Sequence, residues 1–231
     1  KNILNINYHN PRDFTEDRHK TVDDRPYGGG EGMVLMPEPL QKTLASIPKN
    51  EKSRVIYLSP QGRRLTHEVA EELAQSDHLI LVSGRYEGID ERFLSKYVQE
   101  EVSIGDFVLS GGELPCALLV DSVSRFYPGV LGNSLSAVND SFSRGLLKYP
   151  QFTRPEVFEG LSVPKILLTG NHKLIEKWRY HIGFLRTHLR RPDLLEARLQ
   201  SEDYRRDLDG ALKFLEDLTS EEKYVLGLPL E

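Results

Sequence analysis

Cysteine is almost missing from this sequence of 231 residues, and long apolar runs are missing altogether. The single cysteine, Cys116, excludes an intramolecular disulfide framework and a metal site built from cysteines. No apolar stretch reaches the length of a membrane span and no signal peptide is recognisable. We therefore expect a cytoplasmic protein that does not associate with membranes.

Several catalytic patterns are also absent. The seven histidines occur without the H-E-x-x-H spacing, which argues against a structural metal. No G-x-S-x-G elbow marks a nucleophilic serine, so serines beside glycines are interpreted as loop formers. The P-loop pattern G-x-x-x-x-G-K-[ST] is missing too, which excludes that way of cradling a phosphate.

Charge is moderate and slightly acidic. The formal net charge is −5, with 28% charged and 39% hydrophobic residues, as in an ordinary soluble globular protein. This balance argues against indiscriminate nucleic-acid binding. A local basic face stays possible, because the attraction of a charged ligand depends on how charge is distributed over the surface. The length fits one large domain or two small ones.

Three apolar runs followed by small-residue loops are the most informative feature of the chain. They are Val55-Ile56-Tyr57-Leu58 before residues 59–62, Leu79-Ile80-Leu81-Val82 before residues 83–88, and Phe107-Val108-Leu109 before Gly111-Gly112. Each run predicts a strand that is buried on both faces. Ligands bind beyond the carboxyl ends of such strands in open α/β sheets, so the three loops predict one pocket.

Helical patterns separate these runs. They cover residues 40–47, 68–75 with Thr66 as N-cap, 90–97, and 113–126, where Leu114, Ala117, Leu118 and Phe126 are expected to form the apolar surface. Alternating strands and helices predict an α/β fold with a mostly parallel sheet. Near the start, Ile3, Leu4, Ile6 and Tyr8 suggest one more strand.

Four glycines in five positions, residues 28–32, predict a loop. It could be a flexible cover or an RNA-contacting loop, and an ordinary surface turn explains the composition equally well.

The second half of the chain has a different character. Gly, Ser, Asn and Pro dominate residues 127–139, which carry few charges, and predict a linker at 132–139 between a domain at 1–131 and a domain at 140–231. An apolar stripe at helical spacing predicts a helical second domain; it consists of Ile175, Trp178, Ile182, Leu185 and Leu189. Arg179, Arg186, Arg190 and Arg191 form a basic face that could meet phosphates or simply be solvated.

Seven longer motifs carry a family resemblance. They are TVDDRPYGGGEGM (21–33), SGRYEGIDERF (83–93), EVSIGDFVLSGGELP (101–115), FYPGVLGN (126–133), DSFSRGLL (140–147), YPQFTRPEVFEG (149–160) and GNHKLIEKWR (170–179). Over nearly its whole length the chain resembles the bacterial tRNA (guanine-N1)-methyltransferases of the SPOUT class. The resemblance implies a deep trefoil knot, which sequence rules alone would not propose, and a helical C-terminal domain that helps to hold tRNA.

The resemblance also implies an activity. Enzymes of this family transfer a methyl group from S-adenosylmethionine (AdoMet) to N1 of the guanosine 3′ of the anticodon when another guanosine precedes it. The product, 1-methylguanosine, supports maintenance of the reading frame. A homodimer and dependence on Mg²⁺ are implied as well, although no metal ligands can be recognised in the sequence.

The chain departs from the family pattern in two respects. The family begins with a strand and a helix that include an SLFPEMF-like segment, and these are missing before Lys1, so we expect a truncated copy. Glu31 stands where many relatives have proline, which is expected to loosen the glycine-rich loop.

The matching positions give the expected site. The AdoMet-binding residues implied by the family are Tyr57, Leu58, Ser59, Pro60, Gly84, Glu87, Ser103, Ile104, Gly105, Asp106, Phe107, Val108, Leu109, Gly111 and Gly112. Asp140 occupies the position of the general base that removes the N1 proton, and Arg125 is expected to stabilise charge on O6. From the residues alone, Asp140 could instead be the N-cap of a helix.

Two other functions stay open at this point. One is a non-catalytic RNA-binding module that has kept the fold, against which the presence of Glu87, Arg125 and Asp140 argues. The other is a SPOUT methyltransferase that acts on a different RNA.

Overall fold

The structure, a computed structural model, describes residues 3–132 and 140–229. The chain divides into two compact units, Lys1–Ser134 and Leu135–Glu231, which we call unit 1 and unit 2. Of the linker predicted at 132–139, only Gly132 is among the described residues.

Unit 1 alternates strands with helices. Its strands are β1 (Asp23–Asp24), β2 (Val34–Leu35), β3 (Ser53–Arg64), β4 (His78–Val82) and β5 (Glu100–Ser103). Its helices are α1 (Pro37–Ser46), α2 (His67–Leu73), α3 (Glu91–Tyr97) and α4 (Glu113–Ser124), with a 3-10 turn at Pro11–Phe14. The prediction of a mixed α/β fold with a parallel sheet is confirmed.

Strand β3 is the centre of a three-stranded parallel sheet with the order β4-β3-β5. Consecutive side chains of a strand point to opposite faces. Val55 and Tyr57 accordingly join a core with α1 and α3, while Ile56 and Leu58 join a second core with α2 and α4. The strand is therefore covered on both faces, as its uninterrupted apolar run predicts.

Side-chain caps fix the starts of two helices in unit 1. The Thr66 hydroxyl accepts a hydrogen bond from the backbone N–H of Val69 at 3.3 Å and begins α2. Asp90 caps α3 by accepting from the N–H of Arg92 at 2.9 Å, and the Arg92 side chain also binds the carboxylate and lowers its pKa. The predicted N-cap at Thr66 is confirmed, and Asp90 is a capping residue.

Two predictions about unit 1 are wrong. Residues 3–10 form no strand, and Tyr8 is 91% exposed, because no strand in the described part of the chain pairs with this segment. Helix α4 buries Leu119 and Val123, whereas Leu114 and Leu118, expected on its apolar surface, are 70% and 45% exposed. The helix is apolar on more than one side, so periodicity could not identify the buried face.

Unit 2 is mainly helical. Its elements are strands β6 (Val157–Phe158) and β7 (Leu161–Ser162) and helices α5 (His172–Arg190), α6 (Glu202–Glu216) and α7 (Ser220–Leu226), with 3-10 turns at Lys165–Leu168 and Pro192–Arg198. The predicted stripe of α5 is buried at Ile175, Trp178, Ile182 and Leu185, while Leu189 is 46% exposed. None of the helices in the described part of the chain is long and apolar enough to cross a membrane.

The predicted basic face of unit 2 has protein partners. Arg186 donates to the carbonyl oxygen of Leu226 at 3.2 Å, and Arg179 lies over the Tyr149 ring at 4.8 Å. Arg191 pairs with Asp193 at 2.6 Å. These arginines thus contact other residues of unit 2, and whether they also contact phosphate stays a prediction.

Candidate active site

Three segments lie near the carboxyl ends of the parallel strands, and we call them the strand-end loops. The first, residues 59–62, is predicted as a loop after a strand but lies within β3 (Ser53–Arg64), whereas the second and third, residues 83–88 and 104–112, follow β4 and β5. The first interrupts the pairing of β3 with β5, whose register shifts between Leu58 and Arg63. The other two follow β4 and β5, so all three emerge at one edge of the sheet, where α/β proteins bind ligands.

The loops at 83–88 and 104–112 are joined through their backbones. The N–H of Gly112 donates to the carbonyl oxygen of Gly84 at 2.8 Å, and Arg85 pairs with Gly111 in an antiparallel bridge. A Cβ on Gly112 would lie 2.8 Å from the Gly84 nitrogen and 2.9 Å from the Ser83 Cα. Because no carbon fits there, glycine is required for this contact.

A salt bridge joins the loop at 83–88 to the start of α4. Arg85 Nε donates to Glu113 Oε1 at 2.8 Å, and this hydrogen bond lowers the pKa of Glu113. Both side chains are more than half exposed, so the pair is expected to contribute little to the free energy of unfolding.

Tyr57 connects the sheet to the loop at 83–88. Its side chain is almost fully buried, and a Cβ on Gly84 would lie 2.8 Å from its hydroxyl oxygen. Burial raises the pKa of Tyr57, and the carboxylates of Glu101 and Glu91 add to the effect. The phenol of Tyr57 is therefore uncharged near pH 7 where it lies beside the loop. Leu58 and Ser59 are buried next to it along β3.

The Ser83 hydroxyl is buried between the two joined loops. It lies 2.8 Å from the Cβ position of Gly112 and has no hydrogen-bond partner in the described part of the chain. Buried hydroxyl groups in native proteins are normally paired, so this one is a possible partner for a polar ligand or a water.

The third loop turns sharply after β5. Ser103 Oγ exchanges hydrogen bonds of 3.2 Å with the backbone of Gly105, whose φ of +149° favours glycine. The Phe107 ring packs on Gly105, with Cε1 at 2.6 Å from its Cβ position. Ile104 belongs to the core between the sheet, α2 and α4.

The apolar run in this loop is not the buried strand that its composition predicts. Phe107, Val108 and Leu109 are 54%, 84% and 40% exposed. The strand ends earlier, at Ser103, because Gly105 turns the chain away from the sheet. Asp106 is also exposed and pairs with Arg64 at 3.5 Å.

The glycine-rich loop lies beside Glu87. It connects β1 with β2 and contains four glycines at positive φ, which confirms the predicted loop. A Cβ on Gly32 would meet the Glu87 side chain at 2.6 Å, and the Glu87 N–H donates to the carbonyl oxygen of Met33 at 2.9 Å. This loop thus contacts the strand-end loop at 83–88.

A cleft of about 340 Å³ borders the first strand-end loop. It is lined by residues of that loop, α3 and β5, among them Gln61, Glu91 and Glu101. None of its lining residues belongs to the loops at 83–88 or 104–112. We therefore do not assign a ligand to it.

The two predicted catalytic side chains belong to different units. Arg125 ends α4 in unit 1, and Asp140 lies in a turn of unit 2. The alternative that Asp140 caps a helix is wrong, because residues 140–146 form turns and bends. Lys148 binds Asp140 Oδ1 at 2.9 Å, a contact that sequence analysis missed because residues eight apart share no helix or strand periodicity here.

Cys116 lies near the start of α4 and is not a candidate nucleophile. Burial raises the pKa of its thiol to about 11, and nearby Glu113 adds to the shift. Since only the thiolate reacts readily, this cysteine is inert near neutral pH.

Comparison with known proteins identifies the family. The family model described as tRNA (Guanine-1)-methyltransferase TrmD matches residues 1–197. A protein of Shewanella woodyi named tRNA (guanine-N(1)-)-methyltransferase is 59% identical over 198 residues, which cover 85% of this chain and 80% of that protein. Relatives with the same name from Salmonella schwarzengrund and Pasteurella multocida are 56% and 54% identical over 208 residues, covering 89% of this chain and 82% and 85% of theirs. The chain therefore belongs to the tRNA (guanine-1)-methyltransferase TrmD family.

Proposed function

We propose that this protein transfers a methyl group from AdoMet to N1 of a guanosine in tRNA, giving 1-methylguanosine. The observation that carries the proposal is the family match over residues 1–197, supported by relatives named for this reaction at 54–59% identity. The finer assignment is to the guanosine 3′ of the anticodon, where the modification supports reading-frame maintenance. It rests on the motifs shared with the family. A cytoplasmic location follows from the tRNA substrate.

The strand-end loops are the proposed AdoMet site. AdoMet supplies an electrophilic methyl group on a sulfonium. Glycines at 84 and 112 let the two loops join closely, with the Gly112 N–H bonded to the Gly84 carbonyl. Backbone N–H and C=O groups of these loops outside that joint can hydrogen-bond adenine without charged side chains. The unpartnered Ser83 hydroxyl between the loops supports a polar ligand here. The remaining sides of the proposed AdoMet site come from Tyr57, Leu58, Ser59 and the third loop.

Glu87 is proposed to bind the amino group of the methionine part of AdoMet. It is exposed at the strand-end loop and contacts the glycine-rich loop, so a ligand there would lie next to both. A carboxylate directly at the sulfonium would stabilise the substrate more than the transition state, because the positive charge is lost as methyl moves. The amino group, whose charge persists, is the better partner.

Asp140 and Arg125 are the proposed catalytic residues. Guanine N1 carries a proton at neutral pH and attacks poorly until that proton leaves. The Asp140 carboxylate accepts this proton. General-base catalysis of this kind typically raises the reaction rate ~10²–10⁴-fold. Negative charge then grows on O6, and the Arg125 guanidinium stabilises it. The target base must leave its stack to be reached.

Dependence on Mg²⁺ is proposed from the family resemblance alone. The described side chains include no group of three His, Cys, Asp or Glu residues that could hold a metal ion. Mg²⁺ commonly binds through only one or two carboxylates together with water or substrate, so such a group is not required.

A homodimer with a knotted first domain is the proposed assembly. Exposed apolar side chains of unit 1 support association: Phe107, Val108, Leu109, Leu114 and Leu118. A contiguous patch of such side chains would mark a protein–protein interface. We propose residues 1–131 as the trefoil-knotted AdoMet domain, 132–139 as the linker and 140–231 as the helical tRNA-binding domain. Light scattering at micromolar concentration that found only active monomers would contradict the dimer.

The test of the reaction is methylation of unfractionated tRNA with labelled AdoMet, followed by nucleoside analysis. The expected product is 1-methylguanosine. A different methylated nucleoside would identify a methyltransferase for another RNA site. Tight tRNA binding with no transferred label would indicate a non-catalytic RNA-binding protein.

A further inference from the structure

Residues 140–148, which we call the Asp140 turn, are held by many hydrogen bonds. The N–H of Phe142 donates to the Leu146 carbonyl oxygen at 2.8 Å, and the Ser143 hydroxyl donates to the Asp140 carbonyl oxygen at 2.8 Å. The N–H of Lys148 donates to Ser141 Oγ at 3.0 Å, which brings the two ends of the turn together. The backbone of Asp140 is thus fixed.

The far end of the turn is anchored on α5. The N–H of Leu147 donates to Thr187 Oγ1 at 2.8 Å, and Thr187 is completely buried. A Cβ on Gly183 would lie 3.0 Å from the Leu147 carbonyl oxygen, so glycine allows the turn to approach the helix. Leu146 packs in the core of unit 2 with Trp178. The backbone next to Lys148 is therefore held in place by α5 and the core of unit 2.

The Lys148 side chain reaches back to the Asp140 carboxylate. Nζ lies 2.9 Å from Oδ1, the distance of a charge-assisted hydrogen bond. The two side chains are 32% and 30% exposed, which leaves the carboxylate partly accessible from solvent. The pair is more ordered than a fully exposed ion pair, because both residues are fixed by the same turn.

We propose that Lys148 is a positioning residue for methyl transfer: its ammonium helps to fix the orientation of the Asp140 carboxylate towards the N1 proton. The proposal rests on the proposed role of Asp140 as general base. A carboxylate on a fixed backbone can still rotate about two side-chain bonds, and a general base works only within hydrogen-bond reach of its proton. Contact with Oδ1 restricts this freedom before tRNA binds.

The size of the effect follows from how strongly rates depend on orientation. Small misplacements of a reacting group cost up to ~10²-fold, so loss of the contact is expected to slow transfer by roughly tenfold or more. AdoMet binding is expected to stay unchanged, since Lys148 lies outside the strand-end loops. Lys148→Arg keeps a donor to the carboxylate and is expected to recover most of the rate.

The experiment compares single-turnover methylation of tRNA by the full chain and by Lys148→Met, Lys148→Gln and Lys148→Arg. The expected plateau rate is about tenfold lower for Met and Gln and within about threefold of the unaltered protein for Arg. Lys213→Met, an exposed lysine of unit 2, is the matched control. Trp178 fluorescence on heating checks that each variant is folded, because Trp178 is buried in unit 2.

The same substitutions in an Asp140→Asn background separate positioning from general stability. If Lys148 acts through the carboxylate, Lys148→Met costs no further rate in that background, since effects of directly coupled residues do not add. An equal loss in both backgrounds, or an unchanged rate for Lys148→Met, would overturn the role of Lys148. A normal rate for Asp140→Asn alone would instead refute the proposed base.

Discussion

The strand-end loops of unit 1 and the Asp140 turn of unit 2 are stabilised in opposite ways. The loops meet through backbone atoms, with Gly112 donating to Gly84 where no Cβ fits. The turn is held by side chains: the hydroxyl of Thr187 binds its backbone, and Lys148 binds Asp140. One region depends on the absence of side-chain atoms, and the other depends on their presence.

The two regions are suited to two different steps of the proposed reaction, binding of AdoMet and removal of a proton. A backbone-lined surface can hold a ligand through hydrogen bonds without adding charge, which suits AdoMet, whose charge changes during the reaction. Proton removal needs an ionisable side chain in a fixed orientation. Adding atoms should therefore damage the loops, whereas deleting or neutralising functional atoms should damage the turn.

Asp140→Asn is expected to have the largest effect. The amide cannot accept the N1 proton, so the single-turnover rate should fall by ~10²–10⁴-fold. AdoMet affinity measured by calorimetry should not change, because the strand-end loops belong to unit 1. Asp209→Asn, at an exposed position of α6, is the control and should keep the normal rate.

Gly112→Val is expected to weaken AdoMet binding by about a hundredfold. Its side chain would push against the backbone of Ser83 and Gly84, and overpacking of this kind costs ~1–3 kcal/mol, where 1.4 kcal/mol is a tenfold change. Gly132→Val is the matched control, because none of the atoms that the structure describes lies within 4 Å of its Cβ position. Equal calorimetric affinities for the two variants would argue against a binding site at the joined loops.

His181 is expected to make the stability of unit 2 depend on pH. It is 8% exposed, and burial, followed by the nearby charge of Lys177, lowers its pKa below the usual 6.5, while Asp207 acts in the opposite sense. The unfolded chain then binds the proton more readily, so stability is lost as the pH falls below about 6.5, with a slope of at most ~1.4 kcal/mol per pH unit.

Trp178 fluorescence during denaturation measures this effect, since Trp178 is the only tryptophan and lies in unit 2. His181→Phe removes the titrating group and should flatten the slope between pH 5 and 7. An identical pH dependence in both proteins would show that another group is responsible.

Thr66→Ala is expected to have the smallest effect and serves to separate stability from binding in unit 1. Loss of the hydrogen bond to Val69 should cost about 1 kcal/mol of stability and lower Tm by roughly 2–4 °C. Thr66→Ser keeps the hydroxyl that caps the helix and should restore most of the lost stability. A large change in AdoMet affinity in Thr66→Ala would mean that binding follows general stability.

Local patterns predicted the parts of the fold that depend on neighbours in sequence. The run at Val55–Leu58 corresponds to the buried centre of β3, and a threonine before an acidic helical segment corresponds to the cap of α2. The stripe on α5 identified four buried side chains. In each of these cases the spacing of residues along the chain determines the local structure.

The errors concern partners that are distant in sequence. Phe107–Leu109 has the composition of a strand, but a turn at Gly105 removes it from the sheet. Leu114 and Leu118 are as apolar as the buried side of α4, and only the packing of the sheet decides which side is covered. The contacts of Gly112 with Gly84 and of Lys148 with Asp140 have no local signature, so the shared motifs could propose site residues but not these contacts.

The most direct test of the account is the dependence of the single-turnover rate on AdoMet concentration in Gly112→Val and Asp140→Asn. If the loops bind the donor and Asp140 removes the proton, Gly112→Val should need about a hundredfold more AdoMet and then approach the normal plateau. Asp140→Asn should saturate at the normal concentration with a plateau lower by ~10²–10⁴-fold. A normal plateau for Asp140→Asn, or a plateau for Gly112→Val that stays equally low at any AdoMet concentration, would contradict this division of roles.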